Sequence, residues 1–111
     1  MKYTVKERSS GSIIAQGVEN QNVRLFEGNL YFAPDAVNMD HLRVTERIYT
    51  CPYKGQCFWI DLEAESGRAT NIGWVYRNPK AGYEFIKDQI GFYNRDTSGT
   101  VSVKEPVAVS A

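Results

Sequence analysis

The sequence predicts a small, mainly β fold of antiparallel strands carrying two short helices. Three observations lead there. Turn signals recur about every 8–12 residues, the spacing of small all-β domains. The runs between them are rich in β-branched and aromatic residues, and the chain as a whole is 42% hydrophobic and 13% aromatic, a composition that supports one core and opposes disorder. Two prolines, Pro34 and Pro79, sit where helices begin. At 111 residues the length fits a single domain, read as residues 1–105 with a loose tail over 106–111 from Pro106.

Taken in order, Ser9-Ser10-Gly11 turns the chain into an extended run from Ser12 to Gln16. Asn22 to Phe26 is a second extended run, and Glu27-Gly28-Asn29 turns it into Leu30-Tyr31-Phe32, glycine accepting the positive φ of such a turn. Ala33-Pro34-Asp35 reads as a helix start, with an acid near the positive end of the dipole, and the helix is placed over 34–42. Leu42 to Thr50 is extended. Pro52-Tyr53-Lys54-Gly55 is a tight turn into Cys57-Phe58-Trp59-Ile60-Asp61-Leu62, expected as a central strand covered on both faces. Glu65-Ser66-Gly67 turns again into a strand ending at Tyr76, in which the period of two puts Ile72, Trp74 and Tyr76 on one face. Asn78-Pro79 is an N-cap followed by an N1 proline, which predicts a second helix over 79–90. Tyr83, Ile86, Ile90 and Tyr93 fall on one of its faces or just beyond its end. Thr97-Ser98-Gly99 leads to a last strand, Thr100 to Lys104.

Charge narrows the function classes. Thirteen Lys and Arg balance thirteen Asp and Glu, for a net charge of zero and a pI near 6.6. The arginines are interleaved with acids, so nucleic acid is not expected as a main partner. The charged start, Met1 to Arg8, is unlike an export signal, and no apolar stretch approaches the roughly 20 residues of a membrane helix. Cys51 and Cys57 are too few for a secreted disulfide framework. These points predict a cytoplasmic protein with both thiols reduced and no membrane partner.

Three stretches carry a family resemblance. Asn29-Leu30-Tyr31-Phe32-Ala33-Pro34 is similar to the pattern N-x-Y-F-x-P. Thr50-Cys51-Pro52-Tyr53-Lys54-Gly55 resembles a central T-C-P-Y-K-G loop, and Gly73-Trp74-Val75-Tyr76-Arg77-Asn78-Pro79 resembles an A-W-x-Y-x-x-P strand end. Over about residues 12–104 the chain resembles the family called domain of unknown function 427, also filed under a nucleotidyltransferase-like label. The resemblance implies small curved antiparallel sheets of tent-like, methionine-sulfoxide-reductase-like topology.

The chemistry-bearing residues gather on the two latter stretches. Cys51, beside Lys54, is the candidate nucleophile, because a nearby cation favours the thiolate. Read more plainly, it is a small buried residue before a proline turn. Lys54 and Arg77 form a candidate anion site, against the reading of two ordinary surface cations. Trp74, Tyr76, Trp59 and Phe32 are candidates to line a pocket with Tyr53 at its rim, although strand aromatics commonly belong to cores. Asp61-Leu62-Glu63 is the one spaced acid pair continuing a strand, and it reads as solvated rather than as a magnesium site. One histidine and two cysteines fall short of a closed zinc site, and phosphate-cradling glycine loops are lacking. No metal or cofactor is expected.

These residues predict a domain binding a small anionic or aromatic metabolite near the Cys-Pro-Tyr-Lys-Gly loop, through Tyr53, Lys54, Trp74, Tyr76 and Arg77. Two alternatives stand beside it: a thiol-dependent enzyme using Cys51, and a non-enzymatic protein-interaction module. The residues leave open whether the chain catalyses anything, which ligand it takes, and its oligomeric state.

Overall fold

Alternating apolar residues build two antiparallel sheets in the computed structural model, which describes residues 1–107. Among the described residues the strands are β1 (Lys2–Glu7), β2 (Ile13–Val18), β3 (Val23–Phe26), β4 (Asn29–Phe32), β5 (Leu42–Cys51), β6 (Gly55–Ala64), β7 (Gly67–Val75), β8 (Ile90–Tyr93) and β9 (Thr100–Glu105). The smaller sheet has the order β2-β1-β9 and the larger the order β3-β4-β8-β7-β6-β5. The first strand, read from sequence only as a charged terminus, is the centre of the smaller sheet. Its Tyr3 and Val5 point inward at a spacing of two. The tail expected over 106–111 lies, from residue 108 on, outside the described residues.

The core is the layer between the sheets. Tyr3, Val5, Ile14 and Ala15 from the smaller sheet meet Leu30, Phe32, Ile60, Leu62, Val75, Ile90 and Phe92 from the larger. Phe32 and Phe92 meet edge to face at 5.8 Å. The intervening residues of the larger sheet point the other way, and Tyr31, Cys57, Trp74 and Tyr76, with Ile86, form a second cluster on its outer face. Thus β6 is covered on both faces over 57–60, with Phe58, Ile60 and, further on, Leu62 inward and Cys57 and Trp59 outward.

Two bulges bend the larger sheet at one level. In β5, Thr45–Arg47 lie opposite Trp59 alone, and in β7, residues 70–72 lie opposite Asp61 alone. Asn71 takes a φ of 56° there. Its amide N–H donates to Asp61 Oδ1 at 2.9 Å, while Arg47 Nη2 donates to both Asp61 and Asn71 Oδ1. Such bulges increase local twist. The second also corrects the period-two expectation for β7. Ile72 joins Val75 in the inter-sheet core, whereas Trp74 and Tyr76 face outward.

Neither expected helix forms. The helix over 34–42 is replaced by a single 3₁₀ turn, Pro34–Ala36, after which Val37 is extended at φ −120°, ψ 129°. Val37 bridges to Ala15, and the Asn38 N–H donates to the Ile14 carbonyl at 2.7 Å. The edge of β2 thus captures the backbone that a helix would have satisfied internally. The helix over 79–90 is likewise replaced by one 3₁₀ turn, Glu84–Ile86. The spacing of Tyr83, Ile86 and Ile90 is real, but Tyr76 bridges to Lys87 and Ile90 already pairs with Phe32 and Val75 in the sheet. Ladder pairing overrides the helical period.

Candidate functional site

The outer face of the larger sheet owes its shape to a glycine. Trp74 pairs across the ladder with Gly91, and its indole lies directly over that residue. A Cβ on Gly91 would stand 2.4 Å from Trp74 Nε1. The indole N–H donates to the hydroxyl of Tyr31 at 3.1 Å, inside the protein. Around Trp74 three rings meet it edge-on, with centroids at 5.0 Å for Tyr93, 6.0 Å for Tyr31 and 6.3 Å for Trp59. Tyr49 of β5 then stacks on Trp59 at 5.9 Å and 23°. The result is a wall of rings, three edge-on to Trp74 and one stacked, both geometries that aromatic pairs favour.

Two hairpin tips close the end of this wall. Glu27 and Gly28 form the two-residue turn between β3 and β4, both at positive φ (52° and 79°), as a primed hairpin turn requires. Residues 52–54 close the β5–β6 hairpin, with Cys51 paired to Gly55. Lys54 reaches from the second tip to the first, pairing with the carboxylate of Glu27 and lying 5.8 Å over the Phe26 ring. The second tip is also tied down from behind. The Lys80 N–H donates to the Lys54 carbonyl and Lys80 Nζ to the Pro52 carbonyl, both at 2.9 Å.

Between rings and tips lies a hollow of about 270 Å³. Tyr31, Tyr49, Trp59, Trp74, Tyr76 and Tyr93 supply its rings, and Asn29, Lys54 and Cys57 its other walls. Burial lowers the proton affinity of Lys54, but the Glu27 carboxylate outweighs this and raises it, so the ammonium persists at neutral pH. Burial raises the phenols of Tyr31 and Tyr76 and the thiol of Cys57, so all three stay neutral. Among the described residues, Lys54 is therefore the one charged wall of the hollow.

Of the residues singled out from sequence, Lys54, Trp74, Tyr76 and Trp59 meet at the hollow. Cys51 stands at the base of the loop, half-buried, its Sγ accepting the Lys54 N–H at 3.4 Å. Burial would raise its pKa, but the amides of Lys54 and Tyr53, aided by the Lys54 charge, bring it below the ordinary thiol value. Tyr53 is exposed at the loop tip, 73% accessible. Arg77 lies past Tyr76 on the surface and pairs with Asp88 at 3.2 Å. Phe32 is on the opposite face of the sheet, in the main core.

Asn29, Tyr31, Tyr49, Cys57 and Tyr93 were not foreseen as walls. The signal for three of them is alternation. In Leu30-Tyr31-Phe32 and Gly91-Phe92-Tyr93 the tyrosines oppose inward residues, and the register pairs Asn29 with Tyr93 and Tyr31 with Gly91. The acid pair at the end of β6 is engaged in surface ion pairs, Asp61 with Arg47 and Glu63 with Arg43. Among the described residues, no three of His, Cys, Asp and Glu converge as metal ligands, and no helix is long and apolar enough to cross a membrane.

A family model described as "Domain of unknown function (DUF427)", under a short label denoting a nucleotidyltransferase, matches residues 2–103. The chain matches no curated protein.

Proposed function

Because the chain belongs to the DUF427 family, whose description assigns no reaction, we propose that it is a small-molecule-binding domain and that the aromatic hollow receives the ligand. The carrying observation is convergence. Both tryptophans of the chain and four of its seven tyrosines surround one opening beside one lysine. Sites of this kind are mostly apolar, with few placed polar groups that orient the ligand. The ring planes of Trp59 and Trp74 stand at 85°, so a planar ring lying along one meets the other at its edge.

Residues 1–105 as one domain, the tent-like topology implied by the resemblance and a cytoplasmic location belong to the same proposal, with nucleic acid and membranes outside the expected partners. A thiol enzyme using Cys51 is the second reading, favoured by the backbone amide that donates to its sulfur.

Both tryptophans line the hollow, so intrinsic fluorescence reports on it directly. Titration with a set of one- and two-ring aromatic compounds is expected to give saturable quenching. Tyr49→Ala, which removes the half-exposed ring stacked on Trp59, is expected to weaken binding by about 0.5–1.5 kcal/mol while the chain stays folded. Quenching that is linear for every compound and unchanged in Tyr49→Ala would set the proposal aside.

A further inference from the structure

We propose that the ligand is an aromatic monocarboxylate whose carboxylate displaces Glu27 from Lys54, an inference that rests on the binding reading above. Lys54, a wall of the hollow, already pairs with a carboxylate, and that carboxylate belongs to the protein. Glu27 sits on the two-residue turn with its side chain 54% exposed, so it swings into water at little cost. Lys54 is the fixed partner. Its side chain is 15% exposed, pinned over Phe26, and its backbone is bonded to Lys80. Lys54 is thus an anion partner held by the protein's own surface acid.

The neighbouring polar groups are donors in search of an acceptor. Tyr31, 2% exposed, spends its hydroxyl oxygen on the Trp74 N–H, and among the described residues nothing accepts its proton. The Asn29 side-chain amide likewise makes no hydrogen bond among them. A phenol O–H, an ammonium and an amide converging on one wall match a carboxylate, which is an acceptor at both oxygens. Since Lys54 is the only cation there among the described residues, the site suits a monoanion and is too weakly charged for a nucleotide polyphosphate. The volume of about 270 Å³ falls just below the roughly 300–1,000 Å³ of drug-sized sites, which suits one or two fused rings lying on Trp59 and Trp74.

The test uses 2-naphthoate and its uncharged amide, read through the two tryptophan indole N–H signals in a ¹⁵N-labelled full chain. The naphthoate is expected to shift both signals saturably and to bind about tenfold or more tightly than the amide. Lys54→Met keeps the apolar stem and should abolish that preference. Glu27→Gln should tighten naphthoate binding about two- to fivefold, the worth of an exposed ion pair, and leave the amide unchanged. Equal binding of acid and amide, with no effect of Glu27→Gln, overturns the carboxylate assignment and leaves aromatic binding standing. Shifts from neither compound at millimolar concentration overturn both.

Discussion

At Gly91 a single hydrogen in place of a methyl group decides whether Trp74 can lie flat on β8, because the missing Cβ would come within 2.4 Å of the indole nitrogen. Gly91→Ala is therefore expected to destabilise the fold by about 1–3 kcal/mol through overpacking and to shift the tryptophan emission. Urea unfolding followed by fluorescence and by circular dichroism checks both at once. The two thiols make the second prediction at this scale. The Cys51 pKa is lowered from 9.0 by neighbouring amides acting against burial, and that of Cys57 is raised from 9.0 by burial. Alkylation of the native protein is expected to label one thiol, with a rate–pH midpoint below 9.0, and Cys51→Ser should abolish that labelling until the chain unfolds. A Cys51 that reacts no faster than a free thiol of ordinary pKa removes the thiol-enzyme reading. What sequence could show of these residues was their type. Lys54, Trp74 and Tyr76 stood out as turn and strand residues of polar or aromatic character. Nothing local marked Tyr49, and the alternation that turns Tyr93 outward does not show that β8 pairs with β4, far away in sequence, to bring it to the hollow.

Strands were legible where β-branched or apolar runs met turn signals, as at β5, β6 and the β3–β4 hairpin. The helix expectations at 34–42 and 79–90 failed for a shared reason. A proline-led start shows that a helical turn can begin, but not whether a free sheet edge nearby will claim the following backbone, and here β2 and the end of β7 do so. Bulges are equally invisible, because Asn71 at positive φ is set by Asp61 and Arg47 on other strands. One tie between elements has a pH signature. Glu7 at the end of β1 is buried, its Oε1 accepting from Ser10 and Ser66 and its Oε2 lying 2.6 Å from His41 Nδ1. Its pKa is lowered from 4.5, mainly by His41, so its contribution is present above 4.5 and fades as pH falls through the lower folded value. That of His41 is raised from 6.5, mainly by Glu7, with Asp40 and Glu65 adding to it. Its contribution is full below 6.5 and is lost as pH rises through the higher folded value. Denaturation midpoints are expected to show a stabilising component complete between pH 4.5 and 6.5, and His41→Gln should flatten its loss toward alkaline pH. An unchanged profile in that variant would show that the pair adds nothing.

Across the molecule, the larger sheet divides its labour by face. Leucine, isoleucine and phenylalanine seal one face against the smaller sheet, and tyrosine, tryptophan and one lysine line the other. Twin bulges interrupt the ladders on either side of β6, and two hairpin tips joined by Lys54 and Glu27 bound the hollow. The most direct measurement is a crystal structure of the protein soaked with 2-naphthoate. Density for the fused rings against Trp59 and Trp74, with the carboxylate on Lys54 and Glu27 turned away, is the predicted result. Rings of Tyr49, Trp59, Trp74 and Tyr93 packed onto one another, with no space between them and no bound compound, would contradict it.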